Sequence, residues 1–356
     1  MLPLAFALRP GRGILVLNHH GFGNVVMSIP FLTDLCRALG QQIPISVLLA
    51  SPGHFELLRE NNLPLRPVYL PAYRGWRGLL QLRREFLGSF DLVVAVPQVP
   101  PKLALFLKLA LGARFVVGEA AGLSGSMLTR RAIKTPVKSI LASQREILSE
   151  LGVASITMNP VIRLTPEETA WSRIQRDALF PSQTAQIIGV HASSEKISKR
   201  WPPERFGAVL GALHRQFPNL VVISFGTASE SADTNLARLH SGSVPWIDGC
   251  GRWTLRQTAA MLQHCKLFLS NDTGLMHIAA AVGTRTLSVF GPTSPERLAP
   301  IHTGGYAFKP EAPCHPCYER NYGKCPCLLK IIAESVATKA RELIDDRLPP
   351  SALREA

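Results

Sequence analysis

The sequence predicts an α/β protein built as two doubly wound parallel-sheet domains. Short runs of branched and apolar residues alternate with stretches of helical spacing along most of the chain, as stacked βα units do. Each run stops at a turn rich in Gly, Pro, Asn or Asp, which punctuates strand from helix. At residues 160–165 the alternation pauses and begins again, so the halves look like two copies of one architecture. The expected division is 1–165, 166–345 and a tail at 346–356. A chain of 356 residues is long for one core and comfortable for two.

The N-terminal half opens with G-I-L-V-L-N at 13–18, a strand of branched residues. The turn H-H-G-F-G-N at 19–24 follows, then a helical stretch stopped by Gly40. Pro30 inside that stretch predicts a kink there or a fresh start near Ser28. Gly21 and Gly23 allow close approach to the backbone at the top of the strand. The third glycine of a dinucleotide fingerprint is missing, so no nicotinamide site is expected. A second strand is expected at 45–50, a short helix at 53–61 and an extended stretch at 66–70. Residues 73–87 are basic and aromatic, with Arg74, Trp76, Arg77, Arg83, Arg84 and Phe86. F-D-L-V-V-A-V at 90–96 reads as a buried strand closed by Pro97, followed by a helix at 103–111 and a strand at 115–118. A loop then holds Arg130, Arg131, Lys134 and Lys138, and a segment at 144–152 closes the half.

In the second half, Thr165-Pro166-Glu167-Glu168 is a helix start with an N-cap, proline at N1 and acids in the first turn. Q-I-I-G-V-H at 186–191 is a strand, and the polar loop after it holds Ser193, Ser194 and Lys199. A helix is expected at 203–217, a strand at 220–225 ending at Gly226, a helix containing Glu230, a short strand at 246–248 and a helix at 254–264. From 267 to 292 the order is strand, turn, helix, strand. Asp272 and Thr273 fall at the carboxyl end of a strand, where open α/β sheets bind ligands. The helix behind them offers backbone N–H groups and a partial positive charge, suited to a phosphate. Asn271 or Asp272 would equally serve as a plain helix cap. Thr273 and His277 are four apart on one helix face, so a hydroxyl, the Gly274 N–H and an imidazole can converge. A carboxylate repels a diphosphate, which directs Asp272 towards sugar hydroxyls or a neighbouring N–H.

Hydrophobic residues make up 46% and charged residues 18%, the balance of a folded chain. No apolar run reaches the length of a membrane span; the nearest, 103–117, is broken by Lys108, Gly112 and Arg114. The first residues carry no basic stretch before their short apolar piece, so no signal peptide and a cytoplasmic location are expected. The net charge of +14 is uneven: residues 1–165 carry 18 Lys and Arg against 8 Asp and Glu, and residues 166–356 carry 21 against 17. A basic half suits an acidic partner such as an anionic membrane surface or a phosphorylated glycolipid; no nucleic-acid motif accompanies it.

Residues 306–327 have little periodicity and hold Cys314, Cys317, Cys325 and Cys327. Four thiols this close in sequence can form a tetrahedral zinc or iron site, while disulfides are not expected in a cytoplasmic protein. The closing C-x-C is tighter than common zinc knuckles, which leaves His315 as a replacement ligand; free buried cysteines are the alternative. Cys36, Cys250 and Cys265 lie in core-like contexts. Residues 331–344 read as a final amphipathic helix.

Three blocks resemble glycosyltransferase family 9, the heptosyltransferases of lipopolysaccharide inner-core synthesis. They are I-L-V-L-N-H-H-G-F-G-N-V-V-M-S-I-P at 14–30, K-R-W-P at 199–202 and N-D-T-G-L-M-H…F-G-P-T-S-P at 271–295, in the family's order. The resemblance implies a GT-B architecture, two Rossmann-like domains facing across a cleft, with the acceptor bound by the first and the donor by the second. It implies an inverting transfer of heptose from ADP-heptose to an acidic acceptor, the lipopolysaccharide inner core, with no cofactor required for the chemistry. The reaction would run in the cytoplasm, at the inner face of the cytoplasmic membrane, with peripheral membrane contact. On this reading Lys199 neutralises the diphosphate as the nucleotide leaves. Glu230 contacts the ribose, Asp272 completes the donor pocket, and Thr273, Gly274 and His277 hold the diphosphate with hydroxyls from Ser193 and Ser194. Arg83, Arg84, Arg130 and Arg131 would hold acceptor phosphates.

One departure matters most. The family's base is an aspartate in a Gly-Asp pair of the first block, and here the pair is Gly23-Asn24. An amide takes no proton usefully at neutral pH. Either Asn24 orients the acceptor hydroxyl while His19 or His20 acts as base, or the protein is slow, or it binds a sugar nucleotide without turnover. Some heptosyltransferases that modify autotransporter proteins are similar in having a four-cysteine iron site. That keeps a protein acceptor open, beside a small-molecule acceptor or another sugar nucleotide.

Overall fold

The computed structural model describes residues 8–18, 21–40, 42–69, 75–98, 109–120, 130–133, 139–300, 304–318 and 326–345. His19, His20, Arg74, Lys134, Lys138, Cys325 and positions 103–108 of an expected helix lie outside the described residues. The chain divides into two compact units, Met1–Pro160 and Val161–Ala356.

The first unit runs β1 (Gly13–Asn18), α1 (Phe22–Met27), α2 (Ile29–Leu39), β2 (Ile45–Leu49), α3 (Pro52–Arg59), β3 (Leu65–Tyr69), α4 (Gly75–Phe86), β4 (Phe90–Gln98), β5 (Phe115–Ala120), β6 (Arg130–Ile133) and α5 (Ile140–Glu150). Its six-stranded sheet has the order β3-β2-β1-β4-β5-β6, with parallel pairings throughout. The second unit runs α6 (Pro166–Leu179), β7 (Gln186–His191), α7 (Pro203–Gln216), β8 (Leu220–Ser224), α8 (Ser231–Leu239), β9 (Trp246–Asp248), α9 (Leu255–Leu262), β10 (Leu267–Asn271), α10 (Gly274–Ala281), β11 (Thr286–Val289), α11 (Pro295–Leu298), β12 (Tyr306–Phe308) and α12 (Ala333–Asp345). Its sheet, also parallel, has the order β12-β11-β10-β7-β8-β9. Counted from each unit's own first strand, both sheets follow the doubly wound order 3-2-1-4-5-6, which reverses direction between the first and fourth strands.

The central strands are buried on both faces, which is why they read as unbroken apolar runs rather than alternating ones. Every residue of β1 and of β10 is buried. In the second unit Trp201 and Phe206 fill the core between the sheet and α7, with Val336, Ala340 and Ile344 of α12 joining them. Capping boxes start α6 (Thr165 with Glu168) and α9 (Thr254 with Gln257), each satisfying two backbone donors reciprocally.

The fresh start near Ser28 is the alternative the structure takes, and four other local readings change. The helix after β1 is two helices meeting at Ser28, with Pro30 early in the second, where its missing N–H costs nothing. β4 does not end at Pro97; it continues to Gln98 across a register shift, so the residue without an N–H falls at an irregularity in the ladder. Arg130 and Arg131, expected in a loop, lie on the edge strand β6, paired with Val117 and Gly118 of β5. Glu230 ends a 3-10 turn (Ala228–Glu230) instead of lying within the helix that follows. Tyr306–Phe308 forms the edge strand β12, too short to show a period.

Candidate functional site

β7 and β10 are neighbours at the point where the second sheet reverses direction, with His191 paired to Ser270. Their carboxyl ends therefore deliver 191–194 and 271–273 to the same place. Asn271 joins the two loops. Its buried side chain accepts from the Trp201 N–H at 2.9 Å and donates to the carbonyls of Ala192 at 3.0 Å and Ser193 at 3.1 Å. Trp201 is itself fixed, its indole N–H donating to the Ile331 carbonyl at 3.0 Å and its ring packing edge-on against Phe206. With 201 anchored, Lys199 is held over the end of β10, its ammonium 2.6 Å from an Asp272 carboxylate oxygen. The same oxygen accepts from the Thr293 hydroxyl at 2.6 Å. Lys199 is thus no solvated surface lysine; its side chain is 21% exposed.

The plain helix-cap reading of Asn271 and Asp272 fails, because both side chains are committed elsewhere. The N-cap of α10 is Thr273, and its side chain makes no capping hydrogen bond. Among the described residues the N-cap side chain leaves the start of this eight-residue helix open, so first-turn N–H groups and the positive end of its dipole can face a ligand. The Thr273 hydroxyl instead meets His191 Nδ1 at 3.1 Å, and His191 Nε2 meets Glu230 Oε1 at 3.1 Å. Glu230 Oε2 accepts from the Thr227 N–H at 2.8 Å and hydroxyl at 2.9 Å. Burial pushes the Glu230 carboxyl up, but the His191 and Thr227 bonds outweigh it and hold the group at about 2. Glu230 is therefore both a capping acid and a partner of His191.

Ser193 and Ser194 are both buried. The Ser193 hydroxyl donates to Asp233 at 2.6 Å, and the Arg200 guanidinium bridges Asp233 (3.0 Å) and the Ser194 carbonyl (2.6 Å). Gly274 opens α10 and His277 is buried one turn on. Five members of this cluster escaped sequence reasoning: His191, Arg200, Asp233, Thr293 and the stapling role of Asn271. His191 was legible only as the last residue of a strand, a position that open α/β sheets turn towards ligands.

In the first unit, Asn24 sits half-buried in the first turn of α1, at the carboxyl end of β1, and its N–H donates to the Gly21 carbonyl at 3.0 Å. The buried Asn18 that ends β1 donates to Ser28 at 2.6 Å and so sets how α2 leaves the sheet. Arg83 and Arg84 are exposed on α4. Arg77, Leu80, Arg84 and Leu87 share that exposed side, at helical spacing, and both leucines are 53% exposed.

In the cysteine segment, the Cys314 and Cys327 sulfurs are 3.6 Å apart, with Cys317 partly exposed. Among the described residues no three His, Cys, Asp or Glu groups gather within reach of one metal ion. The segment docks on the loop after β11: His315 Nε2 donates to the Thr293 carbonyl at 3.0 Å and the Tyr318 N–H to the Pro292 carbonyl at 2.8 Å. Thr293 is the residue that touches Asp272, so the two regions are in direct contact. Elsewhere, burial pushes the Cys36 thiol up to about 12 and the Cys250 thiol to about 11, and raises Cys265 as well, as suits inert core thiols.

Among the described residues no helix is long and apolar enough to cross a membrane. A chain from Veillonella parvula described as glycosyl transferase family 9 superposes with a TM-score of 0.77 at 20% identity, covering 95% of this chain and 98% of that one. The Escherichia coli heptosyltransferase WaaC, solved with ADP, gives 0.63 at 18% identity, covering 93% and 99%. These likenesses establish the GT-B fold. In sequence, lipopolysaccharide heptosyltransferase 3 of Escherichia coli is 27% identical over 155 residues, 44% of this chain and 45% of that protein. The chain spans about half or less of the length of the curated relatives it matches. The model of glycosyltransferase family 9 (heptosyltransferase) matches residues 80–325, more than half of the chain. With that match, and with the fold in agreement, the chain belongs to glycosyltransferase family 9.

Proposed function

We propose that this protein is an inverting glycosyltransferase that moves a heptose from ADP-heptose to an acidic acceptor, the inner core of lipopolysaccharide. The observation that carries the reading is the Lys199 ammonium held beside the uncapped start of α10 at the end of β10. A lysine, a hydroxyl and several N–H groups facing one point suit a diphosphate. The names of the relatives, heptosyltransferases among them one solved with ADP, supply the sugar and the nucleotide.

The chemistry is a displacement at the anomeric carbon with ADP as leaving group. As the glycosidic bond breaks, charge grows on the diphosphate, and Lys199, Thr273 and the α10 N–H groups stabilise it. Asp272 is the counter-ion of Lys199 and keeps the Thr293 hydroxyl when a diphosphate draws the ammonium away. These groups supply positive charge without a metal ion. Glu230 receives a ribose hydroxyl as an acceptor, since it stays a carboxylate down to about pH 2. Ser193, Ser194, Gly274 and His277 complete the donor pocket. Asn24 orients the acceptor hydroxyl, with His20 as base. Arg83, Arg84, Arg130 and Arg131 take acceptor phosphates, and the mixed Leu and Arg side of α4 suits the inner face of the cytoplasmic membrane.

A structural zinc or iron would be held in the cysteine segment by Cys314, Cys317, Cys325 and Cys327. Sulfurs bound at ~2.3 Å to a tetrahedral zinc lie about 3.8 Å apart, close to the separation of Cys314 and Cys327. Metal analysis of the purified protein, with Cys314→Ser as control, tests this; a metal-free protein with unchanged stability removes the site.

Calorimetric titration with ADP-heptose and a panel of other nucleotide sugars tests the main reading. ADP-heptose is expected to bind tightest, followed by a mass gain of one heptose on a lipopolysaccharide core. Preference for another nucleotide sugar, or mass gain on a polypeptide, would overturn the donor or the acceptor respectively. Asn24 supports a second reading, a sugar-nucleotide binding protein without turnover. It predicts donor binding with no transfer, and no gain from Asn24→Asp.

A further inference from the structure

Glu230, His191 and Thr273 form a carboxylate–imidazole–hydroxyl chain in which His191 is 4% exposed and both of its ring nitrogens are engaged. The three residues come from the turn after β8, the end of β7 and the start of α10, so their alignment is a product of sheet order. Gly226 closes the arrangement: a Cβ there would lie 3.1 Å from Glu230 Oε2 and 3.3 Å from His191 Cδ2. The other charged or titratable groups of this cluster are already engaged. Asp233 is held by Ser193 and Arg200, Asp272 is paired with Lys199, and Cys250 bonds to Thr234.

Hydrogen-bond direction in this chain is constrained. A carboxylate only accepts, so His191 Nε2 carries a hydrogen and gives it to Glu230. With the imidazole neutral, Nδ1 is then an acceptor, and the Thr273 hydroxyl must donate inward to it. In that state the hydroxyl offers only oxygen lone pairs outward, which repel a phosphate. With the imidazole protonated, Nδ1–H donates to Thr273 Oγ1 and the hydroxyl hydrogen is released to point outward. Only the second state adds a side-chain donor to the backbone N–H groups at the start of α10.

We propose that His191 is a positioning residue that takes up a proton from solvent when a diphosphate binds at α10, turning the Thr273 hydroxyl into a donor, with Glu230 as the fixed counter-charge. The balance is simple: one proton enters from the buffer at Nδ1, no covalent bond to the ligand forms, and the proton returns to solvent when ADP leaves. This couples the ribose acceptor Glu230 to the phosphate donor Thr273 through one imidazole. It rests on the donor reading of this site.

The test is ADP titration by calorimetry at pH 8, where ADP is itself fully deprotonated, in buffers of different ionisation enthalpy. For the wild type the observed heat should vary with the buffer in the direction of proton uptake. In His191→Asn, which keeps polar contacts but does not titrate, the buffer dependence should vanish and affinity should fall about tenfold. Glu230→Gln should also reduce the uptake, with folding of each variant checked by its melting transition. Buffer-independent heat in the wild type, or uptake that persists in His191→Asn, overturns the inference while leaving the donor site standing. Failure of the wild type to bind ADP overturns the donor reading, and this inference with it.

Discussion

At the scale of single residues, the site is a set of charges that hold one another in place before any ligand arrives. Lys199 and Asp272 are the sharpest case, since the carboxylate is buried and the lysine is its main counter-charge. Lys199→Met should lower transfer by roughly two to three orders of magnitude in kcat/KM, the scale of losing one charge-stabilising group. It should also lower the melting temperature, because it strands a buried carboxylate. Lys199→Met combined with Asp272→Asn should recover the stability and not the activity; recovery of both would mean that the pair is only structural. Glu230 gives a pH test. Its carboxyl is depressed from 4.5 to about 2, so its stabilising contribution is fully present above 4.5 and is lost as pH falls through 2. In urea titrations, the stability difference between wild type and Glu230→Gln should persist at neutral pH and shrink as the pH falls from 4.5 towards 2. A difference that grows on acidification would refute the assignment.

At the scale of elements, the site depends on two loops and a strand end locked by one amide. Asn271 makes three hydrogen bonds to the backbone around 192–193 and 201, all buried. Asn271→Ala should cost roughly 2–4 kcal/mol in unfolding experiments, since buried backbone partners are left unmade. It should also weaken ADP binding although Asn271 faces protein on every side; unchanged ADP affinity would separate the staple from the site. In the first unit Asp34 does a comparable job, accepting from the backbone of Ile156 and Thr157 and so tying the end of the unit to α2. The cysteine segment belongs to this scale too, because His315 and Tyr318 brace the loop that carries Thr293.

At the scale of the whole molecule, charge is the distinguishing property. The excess of Lys and Arg over Asp and Glu lies mainly in residues 1–165. Exposed Arg83 and Arg84 on α4 are part of it, beside exposed leucines. Replacing both arginines by Ala should weaken binding of a phosphorylated core acceptor and flatten its salt dependence, because such contacts are screened within about 10 Å at 0.1 M salt. Donor affinity should stay unchanged, since Lys199, Thr273 and Glu230 belong to the other unit. An equal loss of donor and acceptor binding would assign the effect to general damage.

Much of this protein is legible from its residues in order. The runs at 13–18, 186–191 and 267–271 declare parallel-sheet strands because a strand buried on both faces must be apolar throughout. The Thr165 helix start is legible because a capping box is local. Asp272, Thr273 and Lys199 are legible as site candidates because strand ends and helix starts are where this fold class binds ligands. What no local pattern encodes is partnership. His191 lies 82 residues from Thr273 and 39 from Glu230, and Asn271 lies 70 from Trp201. Those distances collapse because β7 lies between β10 and β8, a choice of strand order made by packing both faces of the sheet. The sequence by itself determined the elements, the doubly wound class and the residues bearing charge. The tertiary structure decided that Asn271 staples rather than caps, that Lys199 is paired rather than solvated, and that a strand-end histidine joins Glu230 to Thr273.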